Sequence, residues 1–261
     1  MTILDRIISD KIKEVALDKE RVPVLQLERL PLFHRPTSSL AKALKKSQSG
    51  IIAEYKRRSP SKSIINDRSE VAQVSKGYEK AGVCGMSVLT DEIYFGGSLN
   101  DLLTARKHCN LPLLRKEFII DPYQIFEAKA NGADAILLIA AILTKTEIIR
   151  FSKLAKQLQM DVLLEVHNET ELQQSIIPSI DMIGVNNRNL KTFDVSLETS
   201  KSLSKLIPDE FVKVSESGIS SVDAIKELRT FNFEGFLIGE HFMKNNDPGA
   251  CATELIKQLE S

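Results

Sequence analysis

From Gly50 onward one pattern repeats along the chain: a short apolar run, a turn, a helical stretch, then another apolar run. Strands are expected at Ile51–Tyr55, Met86–Thr90, Leu113–Lys116, Ala135–Ile139, Val162–Val166, Met182–Asn186, Val212–Glu216 and Gly235–Ile238. Each is bounded by Gly, Pro, Asp or Asn, and most are rich in Ile, Leu and Val. Parallel strands covered on both faces have this composition. Helical stretches fall between them, among them Glu70–Ala81, Asp121–Asn131, Thr146–Gln159 and Ser221–Thr230, with Gly82 and Gly132 as C-cap candidates. The strand ends fall near residues 54, 89, 116, 138, 165, 186, 216 and 238, a mean spacing of about 26 residues. One strand-plus-helix unit needs about that length. Eight units in succession point to an α/β fold of the (β/α)8 TIM-barrel type. The rival is an open doubly wound sheet, usually with fewer strands.

The segment before Gly50 reads differently. Ile3, Leu4, Ile7, Ile8, Ile12 and Val15 recur at helical spacing, with charged residues between them, and predict an amphipathic helix. Thr2 followed by Asp5 resembles a capping box. Pro23, Pro31 and Pro36 then divide the chain, and Thr37–Ser47 reads as a second short helix with Thr37 as its N-cap. The expected organisation is a helical extension over residues 1–47 packed on a barrel over 48–261, one domain overall. Such a chain has no room for a second enzyme domain and is expected to be monofunctional.

Charge and composition narrow the partners. The 35 Lys and Arg balance 35 Asp and Glu, which disfavours binding to nucleic acid or an anionic membrane. The basic run Lys56-Arg57-Arg58 is isolated and lacks interleaved aromatics. With 43% hydrophobic residues the chain can form a core, so disorder is not expected. The longest apolar run, Ala135–Leu143, is far short of the roughly 20 residues that span a bilayer. The N-terminus lacks the apolar core of a signal peptide. Cys84, Cys109 and Cys251 are far apart and read as small buried residues in a reducing cytoplasm. The expected setting is cytoplasmic, with no membrane or obligatory protein partner.

The polar residues concentrate where barrels do chemistry, at the C-terminal ends of strands. They are Glu54 and Lys56, Lys116, Glu165, Asn186 and Arg188, Glu216 with Ser217 and Gly218, and Gly239 with Glu240. Side chains alternate faces along a strand. Ile52, Glu54 and Lys56 therefore share a face, as do Leu114 with Lys116, Leu163 with Glu165, and Gly184 with Asn186 and Arg188. If these faces point inward, charges converge at one mouth and need partners or a ligand. Ion pairs closing the barrel top are the plainer reading, but the number of such positions exceeds what packing requires. Lys213 is out of phase with Glu216 and should face the helices, which weakens a Schiff-base reading. The glycine-bearing turns at Ser217-Gly218 and Gly239 suit phosphate, whose oxygens take backbone N–H groups there. Gly96-Gly97-Ser98 lacks the spacing of a nucleotide motif and reads as a loop. His34, His108, His167 and His241 lack metal-ligand spacing, and His167 close to Glu165 does not by itself make a metal site.

The segments IIAEYKRRSPSK, SVLTD, YFGGSL, LLRKEFIIDPYQIFEAKANGADAILLIAA, LLEVHNETEL, IGVNNRNLKTFDV, VSESGI and FLIGEHFM, in this order, resemble the indole-3-glycerol-phosphate synthase family over nearly the whole chain. The resemblance implies a (β/α)8 barrel with its N-terminal extension near the mouth, and no cofactor or metal. It implies conversion of a phosphorylated small molecule, 1-(2-carboxyphenylamino)-1-deoxyribulose 5-phosphate, to indole-3-glycerol phosphate, CO2 and water. It makes Lys116 the general acid, with a pKa expected to be lowered by neighbouring cations, and Glu165 the acid/base of the dehydration. Lys56 would meet the substrate carboxylate or assist proton transfer, and Glu54 would hold a lysine. Asn186 and Arg188 would orient the anthranilate part, and Glu216 would contact sugar hydroxyls. Ser59, Ser217, Gly218 and Gly239 would bind phosphate. Phe118 would line the aryl pocket, with Phe95 a weaker candidate. Glu240 stands where a serine can serve the phosphate, so its carboxylate is expected to turn away. A related phosphosugar barrel such as phosphoribosylanthranilate isomerase would need a Cys/Asp pair at strand ends, which this chain lacks. A barrel that only binds a phosphometabolite would have no use for Lys56, Lys116 and Glu165 together.

Overall fold

The apolar runs form β1 (Ile51–Tyr55), β2 (Gly85–Leu89), β3 (Leu113–Lys116), β4 (Ala135–Ile139), β5 (Asp161–Val166), β6 (Met182–Asn186), β7 (Val212–Glu216) and β8 (Gly235–Ile238). All neighbours pair in parallel, and β8 closes on β1 through Ile52↔Leu237. The computed structural model describes residues 2–190 and 192–261; Met1 and Lys191, the latter inside IGVNNRNLKTFDV, lie outside these. The closed sheet excludes the doubly wound alternative.

Among the described residues three α-helices, α1 (Ile3–Arg21), α2 (Val24–Leu27) and α3 (Leu40–Lys46), and a short 3-10 helix (Pro31–His34) precede the barrel. The Thr2–Asp5 capping box is present at α1. Between and after the strands run α4 (Val71–Ala81), α5 (Glu92–Phe95), α6 (Leu99–His108), α7 (Tyr123–Ala130), α8 (Lys145–Gln157), α9 (Glu169–Ser175), α10 (Glu198–Ser204), α11 (Val222–Arg229), α12 (Glu240–Met243) and α13 (Pro248–Glu260). Gly82 ends α4 in the left-handed conformation, at φ 80°. Gly96-Gly97-Ser98 is a loop as expected, between the short α5 and α6: Asp91 caps the start of α5, Gly96 ends it, and Ser98 caps α6.

Strand parity sorts the core into two sets. Ile52, Leu114, Leu137, Leu163, Met182 and Val214 fill the barrel interior. Ala53, Val88, Ile136, Leu164, Val185 and Phe236 face the helices. Lys213 also faces outward, donating to the Ser204 carbonyl at 3.0 Å. Leu40, Ala41 and Leu44 of α3 pack onto the interior set. Their place is the N-terminal end of the strands, since Leu40 Cδ1 lies 2.4 Å from where a Cβ on Gly85 would stand.

The expected N-cap of this helix is corrected. Ser39, not Thr37, caps α3 by accepting from the Lys42 amide. The Thr37 hydroxyl is committed instead to the Gln159 carbonyl. Ser39 also donates to Asp161 at 2.7 Å, tying α3 to the start of β5. Buried Asp134 is a second anchor, taking the Arg35 and Arg106 guanidiniums at 2.5 and 2.9 Å. Of the cysteines, Cys84 and Cys109 are buried as expected, but Cys251 is half-buried beside the Asn245 amide.

Candidate active site

Eight strand ends deliver side chains into one cavity of about 440 Å³. Its lining includes all twelve residues expected from the sequence: Glu54, Lys56, Ser59, Lys116, Phe118, Glu165, Asn186, Arg188, Glu216, Ser217, Gly218 and Gly239. Phe95 lines it as well, 5.9 Å from the Phe118 ring.

A charged layer forms the floor. Glu54, Lys116, Glu165 and Glu216 come from β1, β3, β5 and β7. Alternate strands of a barrel supply one layer of inward side chains. Lys116 Nζ is 2.7 Å from Glu165 Oε2 and 3.3 Å from Glu216 Oε2. Lys56 pairs with Glu54 at 2.6 Å. The lowered pKa expected for Lys116 is not found. Burial opposes its charge, but Glu165, Glu216 and Glu54 outweigh burial and hold the ammonium above its ordinary range. The neighbours in space are carboxylates rather than cations.

The carboxylates divide by their partners. Burial pushes Glu165 up, yet Lys116 and His167 overcome it and hold the carboxyl below its ordinary range. Glu165 Oε1 also accepts from the Asn186 amide at 3.1 Å. Glu216 goes the other way: burial and the nearby Glu165 and Glu54 outweigh Lys116 and raise it to about 7. Its Oε1 is buried without a hydrogen-bond partner. It fits there because β6 carries Gly184 alongside; a Cβ on that glycine would stand 2.2 Å from the same oxygen.

One end of the cavity is lined by backbone. Ser217 and Gly218 are consecutive left-handed residues, at φ 68° and 80°. A non-glycine residue in this region is a strained one. The Ser217 hydroxyl donates to Asn186 Oδ1 at 2.9 Å, linking this turn to Glu165. Gly239 starts α12 beside it. The Glu240 carboxylate turns to Lys62, which forms an ion pair with it. Ser59 sits in a small turn closed by reciprocal backbone bonds to Lys62. Arg57, in the same loop, is bound to Asp101 at 2.5 Å and does not form part of a free basic patch.

The opposite end is apolar. Ile3, Leu4 and Ile7 of α1 join Phe95 and Phe118 there. Sequence reasoning marked these three residues as the apolar face of a helix but could not say what the face covers. It also missed Phe193 and Val195, which follow β6 and line the cavity. Helix α1 is held by Lys11, whose ammonium lies 2.9 Å from Glu14, 3.1 Å from Asp91 and 3.0 Å from Glu117. Arg188, at the β6 end, donates to the Phe193 carbonyl at 3.0 Å. Among the described residues no helix is long and apolar enough to cross a membrane.

Comparison with known proteins agrees with this architecture. Residues 4–255 match the family model described as indole-3-glycerol phosphate synthase. A protein of that name from Bacteroides thetaiotaomicron is 46% identical over 259 residues, covering 99% of each chain. Another from Acinetobacter baumannii is 42% identical over 261 residues, covering 100% of this chain and 97% of its own. Among solved structures, 3-hexulose-6-phosphate synthase from Salmonella typhimurium superposes with a TM-score of 0.63 over 80% of this chain and 97% of its own. At 14% identity that likeness speaks to the fold alone.

Proposed function

Because the chain belongs to the indole-3-glycerol phosphate synthase family, a family of carboxy-lyases acting on a phosphorylated small molecule, we propose that the charged layer at its barrel mouth divides the reaction between Lys116 and Glu165. The observation that carries this reading is the pair itself. An ammonium held charged stands 2.7 Å from a carboxylate held ionised, at the floor of a cavity with an apolar end. Acid and base are thus both ready in the protonation states that ring closure and dehydration require.

The substrate lies with its phosphate on the Ser217-Gly218 and Gly239 amides and the Ser59 hydroxyl. Its aryl ring lies against Phe118, Phe95 and the α1 residues. Lys56 and Arg188 face the aryl carboxylate. Lys116 donates to the ribulose carbonyl oxygen as the aryl carbon bearing the carboxylate attacks the carbonyl carbon. Loss of that carboxylate as CO2 leaves its bonding pair in the ring and restores aromaticity. Lys116 regains a proton from solvent after ring closure; the new hydroxyl then departs as water, with Lys116 donating to the leaving oxygen and Glu165 taking the proton from the adjacent carbon. Glu216, with an unpaired oxygen, accepts a sugar hydroxyl. Asn186 keeps Glu165 in place through the Ser217–Asn186–Glu165 chain. The cytoplasm is the proposed setting, without nucleic acid, membrane or obligatory protein partner.

Mixing the protein with the carboxyphenylamino substrate should give rising indole fluorescence. Lys116→Ala should lower kcat by about 10²–10⁴-fold, the usual worth of a general acid, while substrate still binds. Activity within a few-fold of the parent would remove Lys116 from this role.

A further inference from the structure

His167 does not line the cavity, yet it is almost fully enclosed behind the reacting groups. It follows β5 two residues after Glu165, so the two side chains leave the strand on the same side. Its Nδ1 lies 3.1 Å from Glu171 Oε2 and its Nε2 lies 3.3 Å from Glu165 Oε1. Glu171 is held as an acceptor from three directions. The His167 amide donates to it at 2.8 Å, the Asn168 side-chain amide at 2.7 Å, and the imidazole completes the set.

These contacts fix where the ring protons sit. Facing a carboxylate, Nδ1 must carry a proton. A neutral ring would then turn the bare lone pair of Nε2 toward Glu165, a second anion. Only the imidazolium suits both neighbours. The Nε2–H is buried and not aligned into a hydrogen bond, so its influence on Glu165 is that of a close charge. Among the described residues the titratable groups that act on this ring are Glu165 and Glu171. Glu165 itself meets Lys116 from β3, His167 just after β5 and the neutral Asn186 from β6, with Glu216 and Glu54 beyond Lys116.

We propose that His167, charged and oriented by Glu171, is a positioning residue that keeps Glu165 ionised and aimed into the cavity. The inference rests on the role given to Glu165 above. Consistent with the geometry, the two carboxylates outweigh burial and raise the imidazole to about 10. An opposite charge at this range shifts a carboxyl by roughly 1–3 units. Losing it should let Glu165 take up a proton at higher pH.

The test combines NMR and kinetics on the whole protein. With ¹⁵N-labelled histidine, the signal absent from His167→Gln should report both ring nitrogens protonated at pH 7.5. In Glu171→Gln the same ring should become neutral. In both variants the acid limb of the kcat profile should move up by about one unit. That lowers kcat about tenfold below the limb, with KM within about twofold, since neither side chain touches substrate. If His167→Gln does not fold, Glu171→Gln alone decides. A neutral His167 in the parent, or an unmoved acid limb in folded variants, overturns the proposal. Glu165→Gln separates the two readings. If it retains turnover, the role of Glu165 fails; if it is inactive while the limb stays fixed, only the role of His167 fails.

Discussion

Replacing Lys11 with methionine should cost stability and substrate affinity together. The Lys11 side chain is 1% exposed and meets three carboxylates, two of them as deeply buried. Removing one partner from a buried ion pair costs about 3–5 kcal/mol, because the other charge stays behind. Here the low end applies. Glu117 keeps the Thr90 hydroxyl at 2.6 Å and Arg115 at 3.7 Å. Asp91 keeps the Tyr94 and Phe95 amides. A loss of about 3 kcal/mol, at roughly 2–4 °C per kcal/mol for a chain of this size, lowers Tm by about 6–12 °C. The protein should still fold, because α1 keeps Lys19–Asp121 and the Tyr94–Asp10 bond. The sign with pH follows from Glu117. Burial pushes this carboxyl up, but Lys11 and Arg115 outweigh it and hold it below its ordinary value of 4.5. A depressed carboxyl contributes stability above the unfolded pKa and loses it as pH falls through the folded one. The deficit of Lys11→Met should therefore be full at pH 7 and shrink toward pH 4. KM should rise several-fold, since Ile3, Leu4 and Ile7 lose their anchor. Thermal melts from pH 4 to 8 and indole fluorescence kinetics read both effects. A deficit under about 1 kcal/mol, or one equally large at pH 4, would refute the reasoning.

Two further changes address the charged layer. Gly184→Ala would place a Cβ on the Glu216 carboxylate; turnover should fall at least tenfold with a smaller change in Tm, and unaltered kinetics would show that Glu216 can move freely. Glu216→Gln addresses the stability curve. In the folded protein this carboxyl keeps its proton up to about 7, against 4.5 unfolded, so ionising it opposes folding as pH rises between those values. At about 1.4 kcal/mol per unit, the parent should lose roughly 3 kcal/mol over that range. The variant should lack this decline and be the more stable protein at pH 8, as melts at pH 5 and 8 would show; parallel curves would refute it.

The barrel was legible because two periodicities agree. The apolar runs recur at the length of a strand-plus-helix unit, and within each strand parity separates Ile52 and Glu54 from Ala53 and Tyr55. Parity alone was enough to bring Glu54, Lys56, Lys116, Glu165 and Asn186 to one mouth, and to send Lys213 the other way. The extension was less legible. On α1 the sequence suggested a stripe through Ile12, but Ile12 is 58% exposed. The buried face runs Ile7, Lys11, Val15 instead. The spacing of four was visible, yet a lysine on an apolar stripe reads as its solvent edge. Only the tertiary fold supplies the three carboxylates that make it an interior residue. Thr37 and Ser39 pose the same difficulty in small: both can cap a helix, and a distant carbonyl at Gln159 takes one of them.

The charge of Lys116 shows how far a sequence reading could still have gone. Strand ends taken as one rim put Lys116 with Lys56 and Arg188, which predicts mutual repulsion and a lowered pKa. A barrel interior is layered, however, and each layer draws on alternate strands. Taking β1, β3, β5 and β7 at the same height gives Glu54, Lys116, Glu165 and Glu216, one cation among three carboxylates. That grouping already requires a charged lysine and, once Lys56 is paired with Glu54, leaves one carboxyl short of a counter-charge. The structure shows which one: Glu165 has Lys116, Asn186 and His167, whereas Glu216 shares Lys116 and has an unpaired oxygen. A charged lysine beside an ionised carboxylate thus follows from strand order and parity. Which carboxyl is raised depends on which one Lys116 approaches more closely, 2.7 Å for Glu165 against 3.3 Å for Glu216, and no strand pattern records that.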